Sequence, residues 1–149
     1  MVKPPAVYVA GMLRAIGRGI DTTSWTWLGH LMGQQLFYPP NVAGWDDTRW
    51  LDTATWRGRW WIAQYVLDPH ALDPGKGSQP YDAGKLVQAA LAFWHDPPLA
   101  DGSLRALRAF AANALADAKS QRWKQQQYPP MVLNGLRHLI AVSAELQAA

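Results

Sequence analysis

Apolar residues recur every three to four positions along most of the chain, the spacing that places them on one face of an α-helix. The first run begins at Pro5, where a helix tolerates proline because the N–H at that position has no helical acceptor. It continues through Val9, Leu13, Ile16 and Ile20. No stretch of useful length alternates apolar and polar residues as a half-buried β-strand does. The pattern therefore predicts an all-α fold.

Five further helices are predicted from the same spacing and from residues that cap or interrupt helices. Their expected starts are, in order, residues 22–24, Asp52 or Thr53, Asp82, Ser103 and the pair Pro129-Pro130. The polar stretch 119–127 is expected to fray. We therefore expect about six helices in an irregular bundle, forming a single domain over residues 1–149 with a flexible connection at 68–80.

Residues 36–52, between the second and third predicted helices, cannot form a regular helix. Pro39 and Pro40 lack N–H donors, and the first of them pushes Tyr38 into an extended conformation. Gly44 and the aspartates that follow it favour turns. A loop of this length inside a compact domain is often functional.

Tryptophan is concentrated around this loop. Seven of the nine tryptophans lie between residues 25 and 61. Burying so many indoles in one short segment is difficult because each N–H needs an acceptor. In the third predicted helix, one face carries Trp56, Trp60, Ala63 and Leu67. We expect some of the clustered indoles to reach the surface.

Composition and charge exclude several functional classes. A chain of 149 residues, 49% hydrophobic and 17% charged, is typical of one folded domain. No apolar run approaches the roughly 20 residues that span a bilayer. The absence of cysteine excludes disulfides, thiolate catalysis and cysteine-based metal sites. A net charge of +3, without a concentrated basic stripe, argues against a nucleic-acid partner. No cofactor is expected.

The most specific motif lies at residues 32–45, Met-Gly-Gln-Gln-Leu-Phe-Tyr-Pro-Pro-Asn-Val-Ala-Gly-Trp. It resembles the signature of a bacterial family known as domain of unknown function 1800, whose pattern is roughly M-G-Q-x-L-F-x-P-P-N-V-x-G-W. The family's next segment, Trp-Ile/Leu-Asn-Ser/Thr-Ala-Thr, is matched by Trp-Leu-Asp-Thr-Ala-Thr at residues 50–55, and Arg59 occupies the position of the family's arginine. Here Asp46-Asp47-Thr48 replaces the family's Pro-Gly-Gly turn.

The resemblance extends to residues 3–15 and to the closing helix at 136–147, and it implies a helical fold without a settled activity. Family members are several times longer, so this chain resembles their C-terminal portion. Members are often predicted to be exported, and the resemblance therefore implies export in the full-length context. The first five residues of this chain do not begin a signal peptide.

The loop carries the kinds of side chain that a sugar-binding site uses. Flat aromatic rings cover the apolar face of a pyranose, while amide, carboxylate and guanidinium groups meet its hydroxyls. The candidate ligand-binding residues are Tyr38, Asn41, Trp45, Arg49, Trp50 and Arg59. In the structural alternative the indoles pack under a helix, and Arg59 reaches back to hold loop carbonyls or an aspartate.

Carboxylates of the same loop are candidate catalytic residues. Glycoside hydrolysis needs two acids that face one bond, and Asp46, Asp47 and Asp52 are close in sequence. Burial beside Trp45 or Trp50 would raise the pKa of one carboxyl and make it a general acid. In the alternative, the aspartates are solvated turn residues.

Histidine offers one further candidate, His30, as a proton carrier near the loop. In the alternative, it is a partly buried helix residue. No pair of histidines has the spacing of metal ligands, so no metal site is expected.

Three functional hypotheses remain open. The favoured one is a non-catalytic helical module that binds a glycan-like ligand or a protein partner through the tryptophan-rich loop. The second is a small hydrolase, in particular a glycosidase, that uses the loop carboxylates. The third is a C-terminal part of a larger protein, whose exposed aromatic residues pack against missing helices and promote a homo-oligomer. The sequence does not decide whether the chain is an enzyme.

Overall fold

The structure, a computed structural model, describes residues 1–19, 22–76 and 79–148. Ile20 and the side chains of residues 22–24, which the sequence assigns to an apolar stripe and to helix caps, lie outside the described part. Within it there are seven α-helices, two short 3-10 helices and no β-strand, so the all-α prediction is confirmed. The α-helices are α1 (Pro5–Ala15), α2 (Thr22–Leu31), α3 (Thr53–Leu67), α4 (Ala83–Phe93), α5 (Asp101–Ala118), α6 (Arg122–Ala141) and α7 (Ala144–Gln147), and the 3-10 helices are Asp47–Arg49 and Asp68–His70.

Local capping chemistry explains where three of these helices begin. α1 starts at Pro5, as predicted. Asp82 caps α4 because its carboxylate accepts a hydrogen bond from the Lys85 N–H at 2.9 Å. Asp52 acts in the same way at α3, where it accepts from the Thr55 N–H at 2.9 Å. In both helices the carboxylate satisfies a first-turn donor that has no helical acceptor.

Two predicted helix starts are wrong. α5 begins at Asp101 and not at Ser103, whose hydroxyl donates to the Glu145 carboxylate at 2.7 Å instead of capping the helix. Pro129 and Pro130 do not start a helix but lie inside α6, fully buried. Proline is unfavourable inside a helix because it lacks the N–H and crowds the carbonyl four residues earlier. Burial of both rings offsets part of that cost.

α6 also includes residues 122–127 of the polar stretch that is predicted to fray, so this prediction is wrong as well. Lys124 supports the first turns of the helix. Its ammonium group forms an ion pair with Asp117 at 3.7 Å and lies over the rings of Trp123 and Tyr128. These contacts compensate for the weak apolar pattern of the stretch.

The chain divides into two compact units. The first comprises Met1–Val66 with Leu146–Ala149, and the second comprises Leu67–Glu145. In the first unit α1 packs against α2, and in the second α4, α5 and α6 pack against one another. The single domain expected from the sequence stays a prediction. Buried residues of the first unit include Val9, Met12, Met32, Ile62 and Val66, and those of the second include Leu86, Ala90, Ala111, Leu136 and Ile140.

Part of the connection that is predicted to be flexible is held by hydrogen bonds within the second unit. The Leu72 N–H donates to the side-chain oxygen of Asn134, and the Leu72 carbonyl accepts from the amide nitrogen of the same side chain, both at 2.9 Å. Residues 77 and 78 of this connection lie outside the described residues.

Gly58 permits a close approach between α3 and the end of α2, and the first prediction concerns its replacement. A Cβ atom at Gly58 would lie 2.6 Å from the Leu31 carbonyl oxygen, whereas a Cβ atom at Gly11 in α1 would have nothing within 4 Å. We expect Gly58→Ala to lower the free energy of unfolding by about 1–3 kcal/mol. Gly11→Ala should raise it by about 0.5–1 kcal/mol, because alanine is the better helix former. Urea unfolding monitored by circular dichroism measures both, and equal stabilities would contradict the close approach.

Candidate functional site

The loop between α2 and α3 contains two consecutive tight turns, which we call the double-turn loop (residues 35–44). In the first turn the Tyr38 N–H donates to the Gln35 carbonyl at 3.1 Å. In the second turn the Gly44 N–H donates to the Asn41 carbonyl at 3.1 Å, and the Asn41 side chain accepts from the Ala43 N–H at 2.8 Å. Asparagine in this position closes a turn with its own side chain.

The double-turn loop displays apolar side chains to solvent. Phe37 is 92% exposed, Tyr38 is 75% exposed and Val42 is fully exposed. No charged residue occurs between residues 35 and 45. The projecting surface is therefore aromatic and aliphatic, with few polar groups beyond the backbone.

Phe37 has an unfavourable backbone conformation. Its φ is +63°, and it occupies the third position of the first turn, where a positive φ ordinarily calls for glycine. A bulky L-residue in this region crowds its own Cβ atom against the backbone. The turn is therefore strained at a residue whose side chain is almost fully exposed.

The two indoles expected to line a cleft do not both face solvent. Trp50 is buried, with 8% of its surface exposed, and Trp45 is half-buried. Both indole N–H groups are buried and have no acceptor among the described residues. Unsatisfied buried donors of this kind are uncommon. The exposed members of the tryptophan cluster, among side chains that the structure describes, are Trp27, Trp56, Trp60 and Trp61.

Arg59 lies fully buried at the base of the loop. Its Nε donates to the Trp50 carbonyl at 3.2 Å, one terminal nitrogen donates to the Gln147 side-chain oxygen at 2.8 Å, and the other donates to the Lys3 carbonyl at 2.8 Å. The guanidinium carbon also lies 5.0 Å from the centre of the Tyr8 ring. One of these contacts, with the Trp50 carbonyl, is of the kind that the structural alternative describes, whereas the acceptors at Lys3 and Gln147 were not anticipated.

The charge of Arg59 is held by neutral acceptors. Among the described residues no carboxylate forms an ion pair with it, and burial lowers its pKa. Burial also raises the pKa of Tyr8 to about 12, against the opposing effects of a hydrogen bond with Gln147 and the nearby Arg59 charge. Desolvation disfavours the charged form of each group.

The two chain segments that contact Arg59 are joined to each other. The Lys3 N–H donates to the Gln147 carbonyl at 2.7 Å, and the Lys3 ammonium donates to the Leu146 carbonyl at 3.0 Å. Val2 and Ala148 form an isolated antiparallel bridge beside them. The first unit is thus closed by residues from both ends of the described chain.

The candidate carboxylates have structural partners. Asp46 accepts a hydrogen bond from the Thr48 N–H at 3.1 Å. Asp52 caps α3 and forms an ion pair with Arg49 at 3.7 Å. Hydrogen bonding from the Thr55 backbone, with a smaller contribution from Arg49, lowers the pKa of Asp52. A general acid at neutral pH requires a pKa shifted in the other direction.

The remaining predicted site residues do not share one surface feature. Asp47 and His30 are exposed, and Asn41 uses its side chain inside its own turn. Tyr38 is the one predicted ring that projects freely from the double-turn loop. Among the described residues no group of three histidine, cysteine, aspartate or glutamate side chains could hold a metal ion. No described helix has both the length and the apolar character to cross a membrane.

Sequence reasoning missed two residues of the loop. Phe37 gave no signal, because a positive φ is not expected of phenylalanine. Gln34 is buried, and its side chain accepts a hydrogen bond from the Ala6 N–H at 2.9 Å, which ties the start of the loop to α1. The sequence signal that could have identified Gln34 was its place in the Met-Gly-Gln motif of residues 32–34.

The comparisons with known proteins give one family. The model of the family described as "Protein of unknown function (DUF1800)" matches residues 1–148. Among curated proteins and among solved structures, no significant match to the chain is found.

The second prediction concerns the loss of stability when the buried guanidinium of Arg59 is removed. We expect Arg59→Met to lower the free energy of unfolding by at least about 3 kcal/mol, because each buried acceptor left without a donor costs about 1–3 kcal/mol. Arg59→Lys should lower the free energy of unfolding less than Arg59→Met does, but it should not restore the wild-type value, because an ammonium group cannot reproduce all three hydrogen bonds of the guanidinium. Arg57→Met, at an exposed position of the same helix, is the control and should cost about 1 kcal/mol or less. Urea unfolding that ranks the two methionine variants equally would be inconsistent with an anchor at Arg59.

The raised pKa of Tyr8 leads to a third prediction, about alkaline pH. The unfolded chain loses the Tyr8 proton near pH 10, whereas the folded chain keeps it to about pH 12. The stability supplied by the neutral phenol is therefore complete below pH 10 and is lost as the pH rises towards 12. Stability curves of the wild type and Tyr8→Phe should diverge in this window. Parallel curves from pH 9 to 12 would show that Tyr8 titrates normally.

Proposed function

This chain belongs to the DUF1800 family, and we propose that it is a non-catalytic module that binds a protein partner through the double-turn loop. The proposal concerns the first compact unit, which contains the loop and the residues that hold it. A glycan-like ligand is the alternative occupant of the same loop.

The observation that carries this proposal is the combination of strain and exposure at Phe37. A positive φ costs a non-glycine residue about 1–3 kcal/mol, and a phenylalanine ring in water gains nothing from burial. Phe37 has both properties. Burial of the ring does not offset this cost within the described part of the chain, because the ring is 92% exposed, whereas burial of the ring in a partner would offset it.

The base of the loop is held by hydrogen bonds, which favours binding. Gln34 and Arg59 hold the two ends of the loop region through a partly buried and a buried hydrogen bond, respectively. Trp50 is packed inside the first unit. A surface that is already ordered loses less conformational entropy when a partner binds.

The chemistry of the projecting residues fits a protein surface better than a sugar. Aromatic residues near a desolvated centre supply most of the energy in protein interfaces. A glycan would need polar groups beside the rings, but the Asn41 and Asp46 side chains are used inside the loop. The rings of Trp45 and Trp50 are at least half-buried.

The hydrolase hypothesis stays a second alternative. Its general acid would come from Asp46, Asp47 or His30, since the lowered pKa of Asp52 leaves that carboxyl ionised. The third hypothesis, a C-terminal part of a larger protein that forms homo-oligomers, also stays a proposal, and it shares the expectation that exposed aromatic residues are contact residues.

The fourth prediction separates binding from folding at Phe37. We expect Phe37→Gly to raise the free energy of unfolding by about 1 kcal/mol, because glycine adopts the positive φ without strain. In affinity capture from a lysate of the source organism, the same variant should no longer retain the protein partner that the wild type retains. Trp123→Ser removes an exposed aromatic residue of the second unit and should capture as the wild type does.

Two outcomes would count against this function. A Phe37→Gly chain that captures the same proteins as the wild type would remove the loop from the interface. A tyrosine or tryptophan fluorescence change with an oligosaccharide panel, abolished by Tyr38→Ser, would favour the glycan-like ligand instead.

A further inference from the structure

A row of three side chains runs along the exposed side of α3, and we call it the α3 stripe (Arg57, Trp61 and Tyr65). Residues four positions apart lie one above another on a helix. Trp61 is 49% exposed and Tyr65 is 47% exposed. The opposite side of the helix is the buried one, with Arg59, Ile62 and Val66 facing the first unit's core.

Arg57 gives this stripe a positive charge. Its guanidinium carbon lies 4.9 Å from the centre of the Trp61 ring. Among the described residues Arg57 has no ion pair, and its N–H groups remain available for an acceptor. Two neighbouring rings with a cation at one end are suited to an extended, proline-containing peptide that also carries a negative charge.

The double-turn loop, together with the residues that directly follow it, has that composition. Tyr38, Pro39 and Pro40 are exposed and uncharged, and the next charged residues, Asp46 and Asp47, are exposed as well. The Asp47 carboxylate has no ion pair among the described residues. Loop and stripe are therefore complementary in both apolar character and charge.

The spacings also agree. Proline favours an extended conformation in itself and in the residue before it, and two residues of extended polyproline conformation rise about 6 Å. Four residues along a helix, such as Trp61 to Tyr65, also rise about 6 Å. In that conformation the rings of Tyr38 and Pro40 would have the separation of the two aromatic residues of the stripe.

We propose that the α3 stripe of one copy binds the double-turn loop of a second copy of this chain, with Tyr38 and Pro40 against Trp61 and Tyr65. The Asp47 carboxylate of one copy pairs with Arg57 of the other. This inference rests on the proposed function, because it names a partner for the same loop. Since the loop and the stripe are different surfaces, association is heterologous and continues from copy to copy.

The experiment is sedimentation velocity over a concentration series with charge-reversal variants. The wild type should increase in mass with concentration. Arg57→Glu alone and Asp47→Arg alone should each weaken association by roughly tenfold or more, because each places like charges across the contact. An equimolar mixture of the two variants should associate as the wild type does, since every loop then meets a stripe of opposite charge. Trp123→Ser serves as the control and should associate normally.

Other results would overturn the inference. A wild type that stays monomeric at all concentrations excludes it, and a mixture as weak as the single variants excludes the Asp47–Arg57 pair that defines it. If the wild type is monomeric but still captures a different protein through Phe37, the proposed function stands and this inference alone fails. If it is monomeric and captures nothing, both fail.

Discussion

The buried guanidinium of Arg59 is the interaction on which the first unit depends. It gathers the Trp50 carbonyl, the Lys3 carbonyl and the Gln147 side chain around one charge. These acceptors come from three separate segments, so a single side chain fixes the end of the loop and both chain termini of the unit. A buried cation held by neutral groups tolerates little rearrangement, because any acceptor that moves away leaves a desolvated donor.

That constraint explains why the loop can project apolar residues without collapsing onto the core. The fold anchors the loop through its backbone and through Gln34, and the rings of Phe37 and Tyr38 are left outside. In most small domains a phenylalanine would be recruited to the interior. Here an arginine, Arg59, lies in the interior, and Phe37 is exposed to solvent. The proposed binding through the loop and the proposed association through α3 both depend on this exposure of apolar residues.

Sequence reasoning succeeded where the chemistry is local. The starts of α1 and α4 follow from Pro5 and Asp82, which act within one helical turn. It failed at Pro129-Pro130, because burial of both rings depends on packing that no short window contains. For Arg59 the structural alternative anticipated a nearby carbonyl acceptor, which is that of Trp50, but not Lys3 or Gln147, since these partners lie 56 and 88 positions away. The strain at Phe37 could not be predicted at all.

The contact between Arg59 and Gln147 also has a kinetic consequence. It joins residues 88 positions apart, and contacts of such sequence separation form late because a long loop must close first. The whole of the second unit, Leu67–Glu145, lies between these two partners in the sequence. During synthesis from the N-terminus Arg59 therefore emerges well before Gln147, and the first unit completes this contact only after the residues of the second unit have been made.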